Sequence, residues 1–289
     1  MRILLAAFLS LTALLPAALG QILVEVTLEQ AQFLPGETMT AAVRITNRSG
    51  QALKLGAEAD WLTFSIESRD NFIVSKLGEV PVLGEFTLDT AKVATKRVDL
   101  APHFALTRTG RYRVTATVRI KSWGAQTTSP PKEFSIINGA QFWAQDFGVP
   151  GTAAPGQPPE TRRYALLQMT SLRSEIRVYA RVTDSSEARL IRVGLLGSMV
   201  SFGRPEAQVD SRSQLHVLQQ NGARSALYSV VNPDGEVVVR HFYDFGEARP
   251  HLRADGDGRV SVAGGERRQT DDDLPAPKPE VEKPKPDKP

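Results

Sequence analysis

Tyr112-Arg-Val-Thr-Ala-Thr-Val-Arg-Ile120 is the stretch whose periodicity decides the fold class. Tyr112, Val114, Ala116, Val118 and Ile120 fall on one side of an extended chain, and Arg113, Thr115, Thr117 and Arg119 fall on the other. That period of two belongs to a strand with one buried and one wet face. Met39, Ala41, Val43 and Ile45 repeat it, as do Leu62, Phe64 and Ile66. Weaker strands are predicted near Ile22 to Leu28, Leu53 to Leu55, Phe86 to Leu88, Arg97 to Leu100 and Phe134 to Ile137. Turn chemistry at Leu34-Pro-Gly-Glu37, Asn47-Arg-Ser-Gly50 and Arg69-Asp-Asn71 separates them. Short strands at this density over residues 21–138 predict a two-sheet sandwich.

The entry to the decisive strand, Leu106-Thr-Arg-Thr-Gly110-Arg-Tyr112-Arg-Val114, resembles the start of the penultimate strand of immunoglobulin-like domains. In those domains a glycine two residues before the tyrosine permits a corner, and the hydroxyl bonds back to upstream backbone. Val114 stands where antibody domains place a cysteine, so the resemblance is to disulfide-free bacterial sandwiches. The order of a Thr46-Asn-Arg-Ser49 turn, a strand with Phe64 and a late Gly-x-Tyr strand is also similar to bacterial proteinase-inhibitor domains of the same class. What that second resemblance implies is an inhibitory module.

Residues 139–161, rich in Gly, Pro and Ala, read as a linker. Phe142, Trp143 and Phe147 stand out within it as a candidate binding patch for a protein or glycan, although aromatics in such a place more often pin a linker to a domain edge. Residues 162–266 then read as an antiparallel β-repeat domain. Ile176, Val178, Ala180 and Val182 alternate, and Ala226 to Tyr243 predicts a hairpin around Asn232-Pro-Asp-Gly235. Pro205-Glu-Ala-Gln-Val-Asp210 leads to Leu215 and Val217 at the same offsets as Pro250-His-Leu-Arg-Ala-Asp255 leads to Val260 and Val262, a period of 45 residues. Such repeats resemble propeller blades, but too few copies are present to close a ring. A small open sheet or sandwich comes first among the arrangements that fit, ahead of a ring completed between chains and of unrelated meander turns.

Arg2, the apolar run Ile3 to Leu15 and the small residues of Ala18-Leu-Gly20 read as a signal peptide over residues 1–20, which sends a chain starting at Gln21 to the periplasm or the medium. The run is too short to span a bilayer, so no membrane span is expected after cleavage. At the other end, residues 267–289 read as a disordered tail, most plainly from Asp271, where six prolines and alternating charges leave almost nothing to bury. The chain has no cysteine, which excludes disulfides, thiolate metal sites and cysteine nucleophiles. A net charge of +3 over 289 residues, without a basic stripe carrying aromatics, gives no nucleic-acid partner.

Catalytic chemistry would have to come from His103, His216, His241, His251, Ser, Asp or Glu. No metal-binding histidine spacing, nucleophile elbow or phosphate loop occurs, so no catalytic residue, metal ligand or cofactor is assigned. Asp255-Gly-Asp257-Gly258 opens like a calcium loop but lacks the distal Glu, and reads better as a hairpin turn. Asn47-Arg-Ser49 is a glycosylation sequon. The expectation is an all-β, non-catalytic exported protein of binding or envelope architecture. A protease-inhibitor-like module is the alternative. A glycan hydrolase using Asp210 and Asp255 comes third, disfavoured because both recur with the repeat, which favours a structural turn role for them.

Overall fold

The computed structural model describes residues 22–152, 158–172 and 174–275. The signal-peptide reading, the middle of the linker and residues 276–289 lie outside the described residues. The fold is all-β, built from several antiparallel sheets, and among the described residues no helix is long and apolar enough to cross a membrane. Two compact units divide the chain, and neither is continuous in sequence. The first holds residues 22–29, 40–104 and 112–133; the second holds 30–39, 105–111 and 134–275.

The strands up to residue 136 are β1 (Ile22–Leu28), β2 (Gln32–Phe33), β3 (Thr40–Asn47), β4 (Leu53–Leu55), β5 (Leu62–Ser68), β6 (Phe86–Leu88), β7 (Val93–Asp99), β8 (Gly110–Ile120), β9 (Ala125–Thr128) and β10 (Lys132–Ile136). In the first unit β3 lies between β1 and β7, and β8 pairs with β5 and β9, all antiparallel. The alternation read from sequence is the burial observed. Ala41, Val43 and Ile45 on β3 and Val114, Ala116 and Val118 on β8 are fully buried, while Arg44 and Arg113 face water. The short pair β4 and β6 brackets a long connection, residues 69–85, pinned by the Trp61 indole N–H donating to the Val82 carbonyl at 2.8 Å.

The second unit adds β11 (Ala140–Gly148), β12 (Thr161–Thr170), β13 (Ile176–Asp184), β14 (Leu190–Met199), β15 (Glu206–Val209), β16 (Leu215–Gly222), β17 (Ser225–Val231), β18 (Val237–Asp244), β19 (His251–Ala254), β20 (Val260–Ala263) and β21 (Glu266–Arg268). A four-stranded meander, β11 to β14, packs against a five-stranded sheet in the order β15-β16-β17-β18-β21. Phe147, Tyr164, Leu166, Val178 and Leu196 from the first sheet meet Leu215, Val217 and Val231 from the second. Both sheets are covered again on their outer faces. Leu34, from the early segment of this unit, packs on Leu167, Met169, Tyr179 and Val193, and Leu252 and Val262 of the β19–β20 hairpin pack on Leu218, Tyr228 and Val230. Burial on two faces explains why β12 and β17 read as continuous apolar runs rather than alternating ones.

The 45-residue repeat is a repeated hairpin. Ala207 pairs with Val217 as Leu252 pairs with Val262, and Val209 with Leu215 as Ala254 with Val260. Asp210 and Asp255 close the two turns identically: each Oδ1 accepts the backbone N–H groups two and four residues on, at 2.7–3.1 Å. The residue three on, Ser213 or Gly258, is left-handed in both. Asn232 closes the β17–β18 turn in the same way. The two copies belong to different sheets.

Two stretches differ from the sequence reading. Ala140–Gly148, placed in the linker for its Gly and Pro surroundings, is strand β11, held by pairing with β12 across a bulge at Phe142. Residues 267–275, placed with the tail on composition, belong to the five-stranded sheet: Arg267 and Arg268 lie on β21, and Leu274 exchanges backbone hydrogen bonds with Arg240. Asp273 is buried there, accepting from Arg267 and Thr270.

Candidate functional site

The aromatic trio does not form one surface. Phe147 is buried and stacks on Tyr164 with ring centroids 4.0 Å apart, and Trp143 packs against the same core. Phe142, the extra residue of the bulge, stays partly exposed. Core packing accounts for the places of the first two. The sequon is also internal: the Asn47 side chain is fully buried, its amide donating to the Gln51 and Leu88 carbonyls at 2.7 and 2.8 Å.

Two arrangements carry polar chemistry in the second unit. The first is an open groove of about 530 Å³ beside the starts of β15 and β19, within the size range of small-ligand sites. Leu218 and Ala226 line it, and Phe202, Arg204, Gln220, Phe245, Arg249 and His251 supply its chemistry. Phe202 is 79% exposed, an unusual exposure for a phenylalanine. Arg249 lies over the Phe245 ring at 5.3 Å. Glu206 is already engaged, accepting the Leu252 backbone N–H at 2.7 Å, and Ser211 N–H donates to the Gly258 carbonyl at 2.9 Å, so the two hairpins are held side by side. The sequence reading missed these residues because they come from separate strands. A signal was present: Arg204-Pro205 and Arg249-Pro250 occupy equivalent positions in the two repeat copies, and packing of the two hairpins brings both arginines to one groove.

The second arrangement lies on β16 and β17 and the turn before them. His216 on β16 meets the Tyr228 hydroxyl through Nδ1 at 2.7 Å, and the Asp210 carboxylate stands 3.2 Å from Nε2, off the axis of a directed hydrogen bond. Asp210, His216 and Tyr228 thus form a polar chain, with Leu218 and Val230 packed in one cluster with Tyr228. Burial depresses the His216 pKa, against the pull of Asp210 toward the charged form, and burial raises that of Tyr228 to about 12. The chain has the residue types of a proton relay, yet none of its members lines the groove, and Asp210 already serves its turn. Sequence reasoning anticipated that turn role.

The burial of His216 has a pH consequence. Above pH 6.5, its ordinary value, the imidazole is neutral in both folded and unfolded chains. As pH falls below that value the unfolded chain takes up a proton the folded site resists, so stability present at neutral pH declines down to the depressed folded pKa. His241, lowered by burial and by Arg267, acts in the same sense. The urea midpoint is expected to fall between pH 7.5 and pH 5, and His216→Gln to shrink the fall; an unchanged pH profile in the variant would place the titration elsewhere. The turn itself is tested by alanine at both repeat aspartates. Asp255→Ala is expected to cost about 1 kcal/mol, like an exposed cap, and Asp210→Ala about 2–3 kcal/mol, because a buried group loses its partner. Equal losses in urea titrations would show that burial of Asp210 adds nothing.

A third polar cluster is structural. The buried Glu37 carboxylate closes the Leu34-Pro-Gly-Glu37 turn, accepting Leu34 N–H at 2.8 Å and the Gln30 amide at 2.5 Å, while burial pushes its pKa up.

No family model matches the sequence, and no curated protein matches it. Among solved structures, a sporulation control protein from Bacillus subtilis aligns over 59% of this chain and 83% of its own, at 11% identity and a TM-score of 0.32. A likeness at that score carries no argument about fold family or function.

Proposed function

We propose that the chain is a non-catalytic exported binding protein, an immunoglobulin-like sandwich followed by blade-like β hairpins, whose ligand sits in the groove beside β15 and β19. The observation that carries this reading is the groove's composition: an 79% exposed phenylalanine beside two arginines at repeat-equivalent positions. Burial of the Asp210, His216 and Tyr228 chain away from the groove supports binding without turnover, and the pattern of residues 1–20 supports export. The test is co-sedimentation of the mature chain with an insoluble bacterial envelope preparation. The wild type is expected to pellet, and an Arg204→Glu/Arg249→Glu double variant to stay in the supernatant. Equal pelleting of the two sinks the groove as the binding site.

A second reading, the inhibitor-like module, is favoured by one observation in the first unit. In the connection 69–85, Ile73 is 92% exposed, and Leu77 and Leu83 are also well exposed, while Leu77 N–H donates to His103 O and Phe72 packs edge-on to Tyr112. An extended apolar loop held at fixed points is what a protease cleft would accept. Inhibition of a serine, cysteine or metalloprotease by the full chain, lost in Ile73→Asp, supports it; silence across all three removes it.

A further inference from the structure

We infer that the groove between the two repeat hairpins is a site for an acidic saccharide, with Arg204 and Arg249 holding its carboxylate or sulfate and Phe202 stacking on a sugar face. This rests on the reading of the groove as the ligand site and names what it takes. Three features narrow the class. The first is charge. Arg204 and Arg249 are both exposed, and Arg249 is engaged by its planar face with Phe245, which leaves guanidinium N–H edges open to form paired bonds with an oxyanion. Glu206, the one carboxylate in the lining, is turned onto the Leu252 backbone. The second is the exposed ring of Phe202, a flat apolar platform whose contact area comes at small entropic cost. The third is the crowding of β15. An extended acidic peptide would bind by adding a strand there, but β19 lies against β15, its Leu252 N–H held by the Glu206 carboxylate, and the turns after the two strands are joined by Ser211 N–H donating to the Gly258 carbonyl. Recognition is left to guanidinium, amide and aromatic side chains: Arg204, Arg249, Gln220, Phe202 and Phe245. A ring with an anionic substituent, an apolar C–H face and hydroxyls that donate to Gln220 Oε1, whose Nε2 is engaged by the Gly222 and Ala223 carbonyls, matches that set.

The experiment is calorimetric titration of the mature chain with a galacturonate trimer, its methyl ester, a sulfated heparin-type oligosaccharide and a short polyglutamate. The expected result is binding of the galacturonate or the sulfated sugar at least about tenfold tighter than of the ester or polyglutamate. Which of the two binds identifies the source of the charge. Phe202→Ala and Arg204→Glu, both at exposed positions, are each expected to weaken that binding at least about tenfold with unchanged melting temperature. Polyglutamate binding as tightly as the sugar overturns the inference, since charge alone would then suffice. Binding of neither anionic sugar also overturns it. In that case groove-dependent envelope pelleting shows that only the ligand class was wrong, and groove-independent pelleting removes the parent reading with it.

Discussion

Tyr164→Ala is expected to destabilise the second unit by about 3–5 kcal/mol, the range for removing a fully buried aromatic ring, and to be read as a lowered urea midpoint with the first unit's transition unmoved. The ring is fully buried and stacks on Phe147 at 4.0 Å. Its hydroxyl stands 3.0 Å from the Ser213 carbonyl and 3.2 Å from that of Val231, so one proton from β12 is shared between two carbonyls of the facing sheet. Burial holds the phenol far above its ordinary pKa, which keeps it a donor at every ordinary pH. Tyr164→Phe retains the stack and is expected to cost about 1 kcal/mol for the lost donor. A phenylalanine variant as stable as the wild type would mean that the hydroxyl does not tie the sheets together.

Gly56→Ala is the second large effect. Gly56 follows β4 at φ +89°, and a Cβ there would lie 2.1 Å from the Gly84 carbonyl oxygen and 2.8 Å from its carbon. Both are backbone atoms that cannot rotate away. The left-handed conformation alone costs an L-residue about 1–2 kcal/mol, and parting the two backbones adds an overpacking cost of about 1–3 kcal/mol. Gly50→Ala provides the control, because Gly50 is also left-handed but has nothing within 4 Å of its would-be Cβ. It is expected to show the conformational cost alone. If the two variants melt together, the close approach at Gly84 does not select the glycine.

Strands with one wet face were legible in the sequence, and strands with none were harder. On β8, Arg113, Thr115 and Arg119 interrupt the apolar residues at each second position and mark its register. β11 hid because its bulge sets Phe142 and Trp143 side by side and breaks the alternation. β14 hid because Gly194 and Gly197 interrupt its apolar residues. Gly197 in fact sits where the register shifts, at φ +146°, with a would-be Cβ 2.5 Å from Leu227 Cδ2, so the glycine records a close approach within a strand. The turn role of Asp210 and Asp255 was legible from their spacing. The groove was not, since Phe202, Arg204 and Arg249 become neighbours only when two hairpins pack. Phe142, Trp143 and Phe147 are neighbours in sequence but not on one surface, because the bulge at Phe142 and the core contacts of the other two give the rings different surroundings.

Leu34 belongs to the second unit although it precedes most of the first unit's strands, and its partners Leu167, Tyr179 and Val193 are made much later. A chain that emerges from its amino end must therefore carry that leucine, only 1% exposed in the finished protein, uncovered until β14 has left the ribosome. Loop closure over so long a separation is slow, and exposed apolar segments in the interval invite wrong associations. The timing of synthesis, and any helper that shields residues 30–39 in the meantime, then bears on how much native protein a cell recovers, independently of how stable that protein is once made.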